Sequence, residues 1–342
     1  MKKFSLIIPH HNIPHLLKRC IDSIPNRNDI QIIVVDDRSD EKYINCLKNV
    51  CLSKQNLELI LLSENKGGGG ARNEALKKAC GEFLLFADAD DFFNYCLNDI
   101  LDEYSNTDKD IIFFKASCVD SNTYEIRNST HHLNTYIDNW DKDKVSSEIS
   151  LRYMFGEPWC KIIRRKVVVD NNVFFDETRR NNDTTFSYLI GHYANTIGID
   201  RRCLYTYTVG RNSVSKQRTT EDVFAMLDVF SRSNLFFKKH GLKLNETRQY
   251  LALYSFCRNK DDVAFTKGVN MMLEYGYSKK DVVLNFSKTV AKNSIVSSLW
   301  CAVYAPYFVI KVLCVLDWFF ISIPRFVKYD ILRMKNKEIK RW

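Results

Sequence analysis

Four short apolar runs open the chain, and each stops at a polar cluster. Phe4–Pro9 (FSLIIP) closes at Pro9, Ile30–Val35 (IQIIVV) at Asp36 and Asp37, Leu57–Leu62 (LELILL) before a glycine tract, and Glu82–Ala87 (EFLLFA) before three aspartates. Between them lie stretches with helical spacing: Leu16 to Ile24, ended by Pro25, then Ser39–Asp40 to about Leu52, then Ala71 to Ala79. Unbroken apolar runs of this length suit strands covered on both faces. Strands alternating with helices predict a mostly parallel, Rossmann-like α/β sheet with helices on both faces. Ligands of such sheets sit beyond the carboxyl ends of the strands. Pro9–Asn12, Asp36–Asp37, Asn65–Arg72 and Asp88–Asp91 all fall there.

The segment Ser63–Phe93 carries most of the chemistry. In NKGGGG (Asn65–Gly70), four glycines permit positive φ and close backbone approach, and the helix formers ARNEALKKA follow. A loop opening onto a helix start favours an anion, and the Arg72 fork suits a phosphate. A flexible turn with a surface arginine is the plainer alternative. After the next strand come Asp88, Asp90 and Asp91. On an extended chain Asp88 and Asp90 point one way and Asp91 the other. Two adjacent carboxylates repel unless a cation joins them, and hard oxygen ligands favour Mn²⁺ or Mg²⁺ together with phosphates and waters. A solvated turn is the alternative, which the preceding strand and glycine tract weigh against. The chain has no GxxxxGK[ST] and no GxGxxG after its first strand, which disfavours a P-loop and a dinucleotide fold.

FSLIIPHHN, IIVVDDRSD, NKGGGGARNEA and GEFLLFADADD resemble the successive motifs of family 2 glycosyltransferases, which have the GT-A fold. The resemblance is close over the first third of the chain and looser to about Ser215. It implies an inverting sugar transferase that uses a nucleotide-diphosphate sugar, most often a UDP-sugar, with Mn²⁺ or Mg²⁺. By position, Pro9 and His11 would line the base, Asp37 would accept from the base ring N–H, and Arg72 would face the base or diphosphate. Asp88 would contact ribose or a metal-bound water, and Asp90 would ligate the metal. The family usually has an aromatic or small residue where His10 and His11 stand.

The family's general base is the second residue of an acidic pair opening a helix. Here that pair reads Asn182–Asp183, so Asp183 is the expected base. With no acid beside it, its pKa need not be raised; a plain helix N-cap is the alternative role. Glu157–Lys161 (EPWCK) resembles the acceptor-side segment. Trp159 would stack on an acceptor sugar or pack in the core, and Lys161 would approach phosphate. His192, on the helix predicted over 186–194, is a third metal-ligand candidate by the habit of some GT-A enzymes, or an ordinary core or surface histidine. Arg211, in YTYTVGRNSVS, would reach the diphosphate when that loop closes, or sit in a basic turn.

At 45% hydrophobic and 13% aromatic residues the chain is too apolar for disorder. Its eleven cysteines, Cys80 and Cys118 at core-like positions among them, form no CxxC or zinc spacing and suggest reduced thiols in a cytoplasmic setting. The opening apolar run is too short for a signal peptide. We expect a glycosyltransferase domain over 1–220, with a nucleotide-sugar half (1–105) and an acceptor half (106–220), then a helical region over 221–342. Residues 325–342 hold seven Lys/Arg against two Asp/Glu, part of a net charge of +9, and follow an aromatic stretch interrupted by Lys311 and Asp317. That pattern suits either the face of an anionic membrane or a helical bundle, and it has no nucleic-acid motif.

The expected activity is transfer of one sugar to a glycan or lipid-linked acceptor during surface-polysaccharide (capsule, lipopolysaccharide or exopolysaccharide) synthesis, at the inner face of the cell membrane. A sugar-phosphate nucleotidyltransferase would need a GxGxR-type loop where PHHN stands. A silent scaffold would not need Asp88, Asp90 and Asp183 together.

Overall fold

The computed structural model describes residues 2–127, 132–210, 219–242, 244, 247–259 and 261–294. The chain divides into two units, 1–217 and 218–342.

The first unit is built on one eight-stranded sheet. Its elements are β1 (Phe4–His10), α1 (Pro14–Asp22), β2 (Ile30–Asp36), α2 (Glu41–Leu52), β3 (Leu57–Leu61), α3 (Gly67–Lys78), β4 (Phe83–Phe86), β5 (Phe92–Phe93), α4 (Leu97–Tyr104), β6 (Ile111–Asp120), α5 (His132–Asp138), α6 (Lys144–Tyr153), β7 (Lys161–Arg164), α7 (Arg165–Asp170), α8 (Thr184–Tyr193) and β8 (Ile197–Val209). The strand order is β3-β2-β1-β4-β7-β6-β8-β5. β1 pairs parallel with both β2 and β4, and β2 with β3. This is the doubly wound half that the four apolar runs predict. Leu6, Ile7, Ile8, Ile32, Ile33 and Val34 are buried, as strands covered on both faces must be, whereas β3, at the sheet edge, is only half covered.

Beyond β4 the sheet changes direction. β7 runs antiparallel to both β4 and β6, and β8 returns parallel to β6. The inserted β7 brings residues 155–164 alongside the end of β4, far from their place in the sequence. Cys118 is buried in β6, but Cys80, in the bend after α3, is exposed.

The second unit is helical: α9 (Thr220–Lys239), α10 (Arg248–Arg258), α11 (Asp262–Glu274) and α12 (Lys279–Ser294). Thr219 and Asp222 form a capping box at the start of α9. Leu227, Leu253, Phe256, Val269 and Phe286 form a separate core. Among the described residues no helix is long and apolar enough to cross a membrane. The segment 295–342, expected to associate with a membrane or to pack as a bundle, lies outside the described residues.

Candidate active site

The ends of β1 and β2 are joined by a buried polar knot. His10 Nδ1 lies 2.7 Å from Asp36 Oδ1, and the Ile13 amide donates to His10 Nε2 at 3.2 Å. A ring nitrogen facing a carboxylate carries the hydrogen, and one facing an N–H does not. His10 is therefore a neutral Nδ1–H tautomer. Burial pushes the Asp36 carboxyl up, but bonds from His10 and Ser39 outweigh it and hold it below the usual range. This knot fixes the turn that presents Pro9 and the exposed His11. Asp37 is buried; one of its carboxylate oxygens accepts from the Lys66 amide at 2.6 Å, and its carbonyl accepts from Asn65 Nδ2 at 3.1 Å.

The glycine tract is not an open loop. Helix α3 already begins at Gly67, with φ 72°, and takes in all four glycines. The Gly67 amide donates to Asn65 Oδ1 at 3.3 Å, so part of the helix start is satisfied within the protein. The glycines allow another segment to approach: a Cβ on Gly69 would lie 1.9 Å from the Asp176 carbonyl oxygen. Asn73 completes the contact, donating to the Phe175 carbonyl at 3.0 Å and accepting from its amide at 2.9 Å. Arg72, buried, emerges from this helix between the two halves of the site. Its guanidinium donates to Asp88 Oδ1 and, at 3.0 Å, to Asn182 Oδ1, and lies over the Phe175 ring.

β4 ends at Phe86, so Asp88–Asp91 form a turn and not an extended tip; the Asp91 amide donates to the Asp88 carbonyl at 3.1 Å. The alternation expected of an extended chain therefore does not apply to Asp88–Asp91. Asp91 is buried and held by Tyr205 Oη at 3.0 Å and the Thr208 amide at 2.7 Å. Tyr205 Oη also accepts from the Asp88 amide at 2.8 Å, while Thr208 Oγ1 and Arg19 bond the Asp90 carbonyl. The Asp90 side chain accepts no bond from another described residue. Burial first, and the Asp88 charge second, raise its carboxyl to about 6. The Arg19 charge offsets that rise only in part, and a divalent cation would relieve the rest of the repulsion between the two carboxylates. Among the described residues no three His, Cys, Asp or Glu side chains gather as ligands, so phosphate oxygens and waters would complete the shell.

Asp183 occupies the N-cap position of α8, yet its side chain makes no capping bond. Its carboxyl is pushed up to about 7, chiefly by burial and then by the charge of Glu157; the Arg72 cation opposes both. The expectation that this carboxyl need not be raised is overturned: burial raises it, and Glu157, from another segment, adds the like charge that Asn182 does not carry.

Three expected residues stand elsewhere. Trp159 is 5% exposed and stacks on Tyr205 and Tyr207, with centroids 5.3 and 5.6 Å apart. It props the tyrosine that holds the aspartate turn and presents no free face to a sugar. His192 sits in the last turn of α8, 3.2 Å from Tyr153 Oη and at the opposite end of the helix from Asp183, and it is not gathered with the carboxylates. Lys161, expected near phosphate, is 2% exposed inside the sheet. Arg211 lies outside the described residues. Sequence reading missed Tyr205 and His10, whose roles depend on partners distant in the chain.

Residues 5–170 match the description "Glycosyl transferase family 2". A poly(ribitol-phosphate) beta-glucosyltransferase of Bacillus spizizenii is 39% identical over 95 residues, 26% of this chain and 15% of that protein. The poly(ribitol-phosphate) beta-N-acetylglucosaminyltransferase TarS of Staphylococcus aureus is 27% identical over 240 residues, 66% of this chain but only 39% of TarS. The crystal structure of TarS 1–349 in complex with UDP-GlcNAc superposes with a TM-score of 0.62 at 20% identity, covering 93% of this chain and 91% of that one. The polar ends of β1, β2 and β4, the start of α3 and the shared fold thus have one explanation: residues 5–170 belong to glycosyl transferase family 2, on a GT-A fold.

Proposed function

We propose that the chain transfers one sugar from a nucleotide-diphosphate sugar, a UDP-sugar, to a glycan or lipid-linked acceptor, with inversion and with Mn²⁺ or Mg²⁺, during synthesis of a bacterial surface or cell-wall polysaccharide. One observation carries this reading: the Asp183 carboxyl, without a capping bond and pushed up to about 7, adjoins Asn182, which shares the Arg72 guanidinium with Asp88. A carboxylate tuned near neutrality is suited to act as general base. Asp183 takes the proton of the acceptor hydroxyl as its oxygen bonds the anomeric carbon. The bond from that carbon to the diphosphate breaks on the opposite face, and the diphosphate leaves with the electron pair. Asp90 and Asp88 would hold the cation, which supplies charge neutralisation to the leaving group. Pro9, His11 and Asp37 line the base side, and Arg72 faces the diphosphate. The UDP-GlcNAc complex of TarS supports a UDP-sugar donor, and the names of the relatives support a wall-polymer acceptor.

The test is Asp183→Asn. Transfer should fall by ~10²–10⁴-fold with donor affinity unchanged by calorimetry. Full transfer by a folded Asp183→Asn protein would refute the base.

A further inference from the structure

Lys161 opens β7 and is one of three consecutive buried residues, Trp159, Cys160 and Lys161 at 5%, 2% and 2% exposure. Cys160, just before Lys161, has φ 58°. A non-glycine residue there is strained and is retained where the surrounding structure demands it. The Lys161 side chain that follows is buried. Its Nζ meets the Glu157 carbonyl at 2.6 Å, Ser187 Oγ at 3.1 Å and the Phe155 carbonyl at 3.3 Å. Three oxygens match the three N–H bonds of an ammonium.

These partners come from two segments. Phe155 and Glu157 belong to the bend before β7. Ser187 belongs to the first turn of α8, where its amide donates to the Asp183 carbonyl at 2.9 Å and its hydroxyl donates to the Gly156 carbonyl at 2.5 Å. Burial pulls the lysine down to about 7, while the charges of Glu157 and Asp183 oppose that fall. A methionine would fill similar space without the desolvation penalty of a buried cation. It would also leave two carbonyls and a hydroxyl without this donor, so the loss of the lysine is felt in both segments it joins.

We propose that Lys161 is a positioning residue for Asp183: its Nζ locks the Phe155–Glu157 bend onto the first turn of α8, which Asp183 opens, and when protonated it adds a positive charge to the surroundings of the carboxylate that receives the acceptor proton. The inference rests on Asp183 being the base. Four groups then act on that carboxylate: Glu157 from the bend, Arg72 from α3, Asp88 from the aspartate turn and Lys161 from β7.

The experiment uses the full chain with UDP-N-acetylglucosamine and UDP-glucose in Mn²⁺, following UDP release to water across pH and UDP binding by calorimetry. Lys161→Met should lower kcat by ~10–100-fold, the scale of a small misplacement of a reacting group, with UDP affinity unchanged. The acidic limb of kcat should also move up by about one pH unit, because a favourable neighbouring charge is lost. A limb that stays in place, or UDP affinity lost along with the rate, would overturn the role. Should Lys161→Met not fold, Ser187→Ala removes one of the three oxygens and leaves the charge: kcat should fall with the limb unmoved, and a wild-type kcat would overturn the tie. Asp183→Asn separates the two ideas. If it keeps the wild-type rate, the base assignment fails; if it abolishes the rate while Lys161→Met changes neither kcat nor limb, only the lysine role fails.

Discussion

Asp183 titrates near 7 when folded against an ordinary value of 3.8. Between those two values the folded chain holds a proton that the unfolded chain has released, so stability declines as pH climbs through the window. Two outcomes follow. Transfer should rise with pH and level off above about 7, read from kcat/KM profiles. Asp183→Asn should remove the stability slope and melt higher than wild type at pH 8, measured by calorimetric scans, even as transfer is lost. Asp90 is raised for a related reason, by burial and the Asp88 charge. Replacing it with alanine should abolish any strengthening of UDP binding by Mn²⁺ while leaving metal-free binding in place. Chelation of the wild type should mimic that loss.

At the scale of elements, the contact between α3 and the segment 175–182 sets the site. Gly69→Ala drives a methyl into the Asp176 carbonyl and should destabilise the chain by ~1–3 kcal/mol or more, as overpacking does, with donor binding reduced. Gly156→Ala meets Thr184 only at ordinary contact distances, 3.5 Å and beyond, and should be tolerated. Thermal melts of the two variants check the contrast. The first four strands were legible because each is an apolar run cut by proline, glycine or acids. β7 was not: KIIR is four residues long and has no period to mark it. The same blindness explains Lys161 and Trp159. Lysine is normally a surface residue, and a tryptophan near a sugar site invites a stacking role. Only the antiparallel insertion of β7 makes the first a buried tie and the second a prop for Tyr205. Asp183 stands out in the sequence as a candidate, but its raised pKa does not, because burial and the charge of Glu157 both come from tertiary folding.

For the whole molecule, the two units hold separate apolar cores, one around the sheet and one among α9–α12. Residues 1–217 contain every placed carboxylate of the site and the core beneath it. A chain cut after Gln217 should therefore melt cooperatively and bind UDP in Mn²⁺ as the full chain does, measured by scanning and titration calorimetry. Arg72 has a final consequence at this scale. One guanidinium grips Asp88 on one side and Asn182, next to the proposed base Asp183, on the other. On the proposed reading, a metal ion held by Asp88 would compete for the oxygen that Arg72 already holds. Loading the donor would thereby loosen or re-aim the strut beside Asp183, so that cargo on one bank of the cleft would be felt on the other before any acceptor arrives.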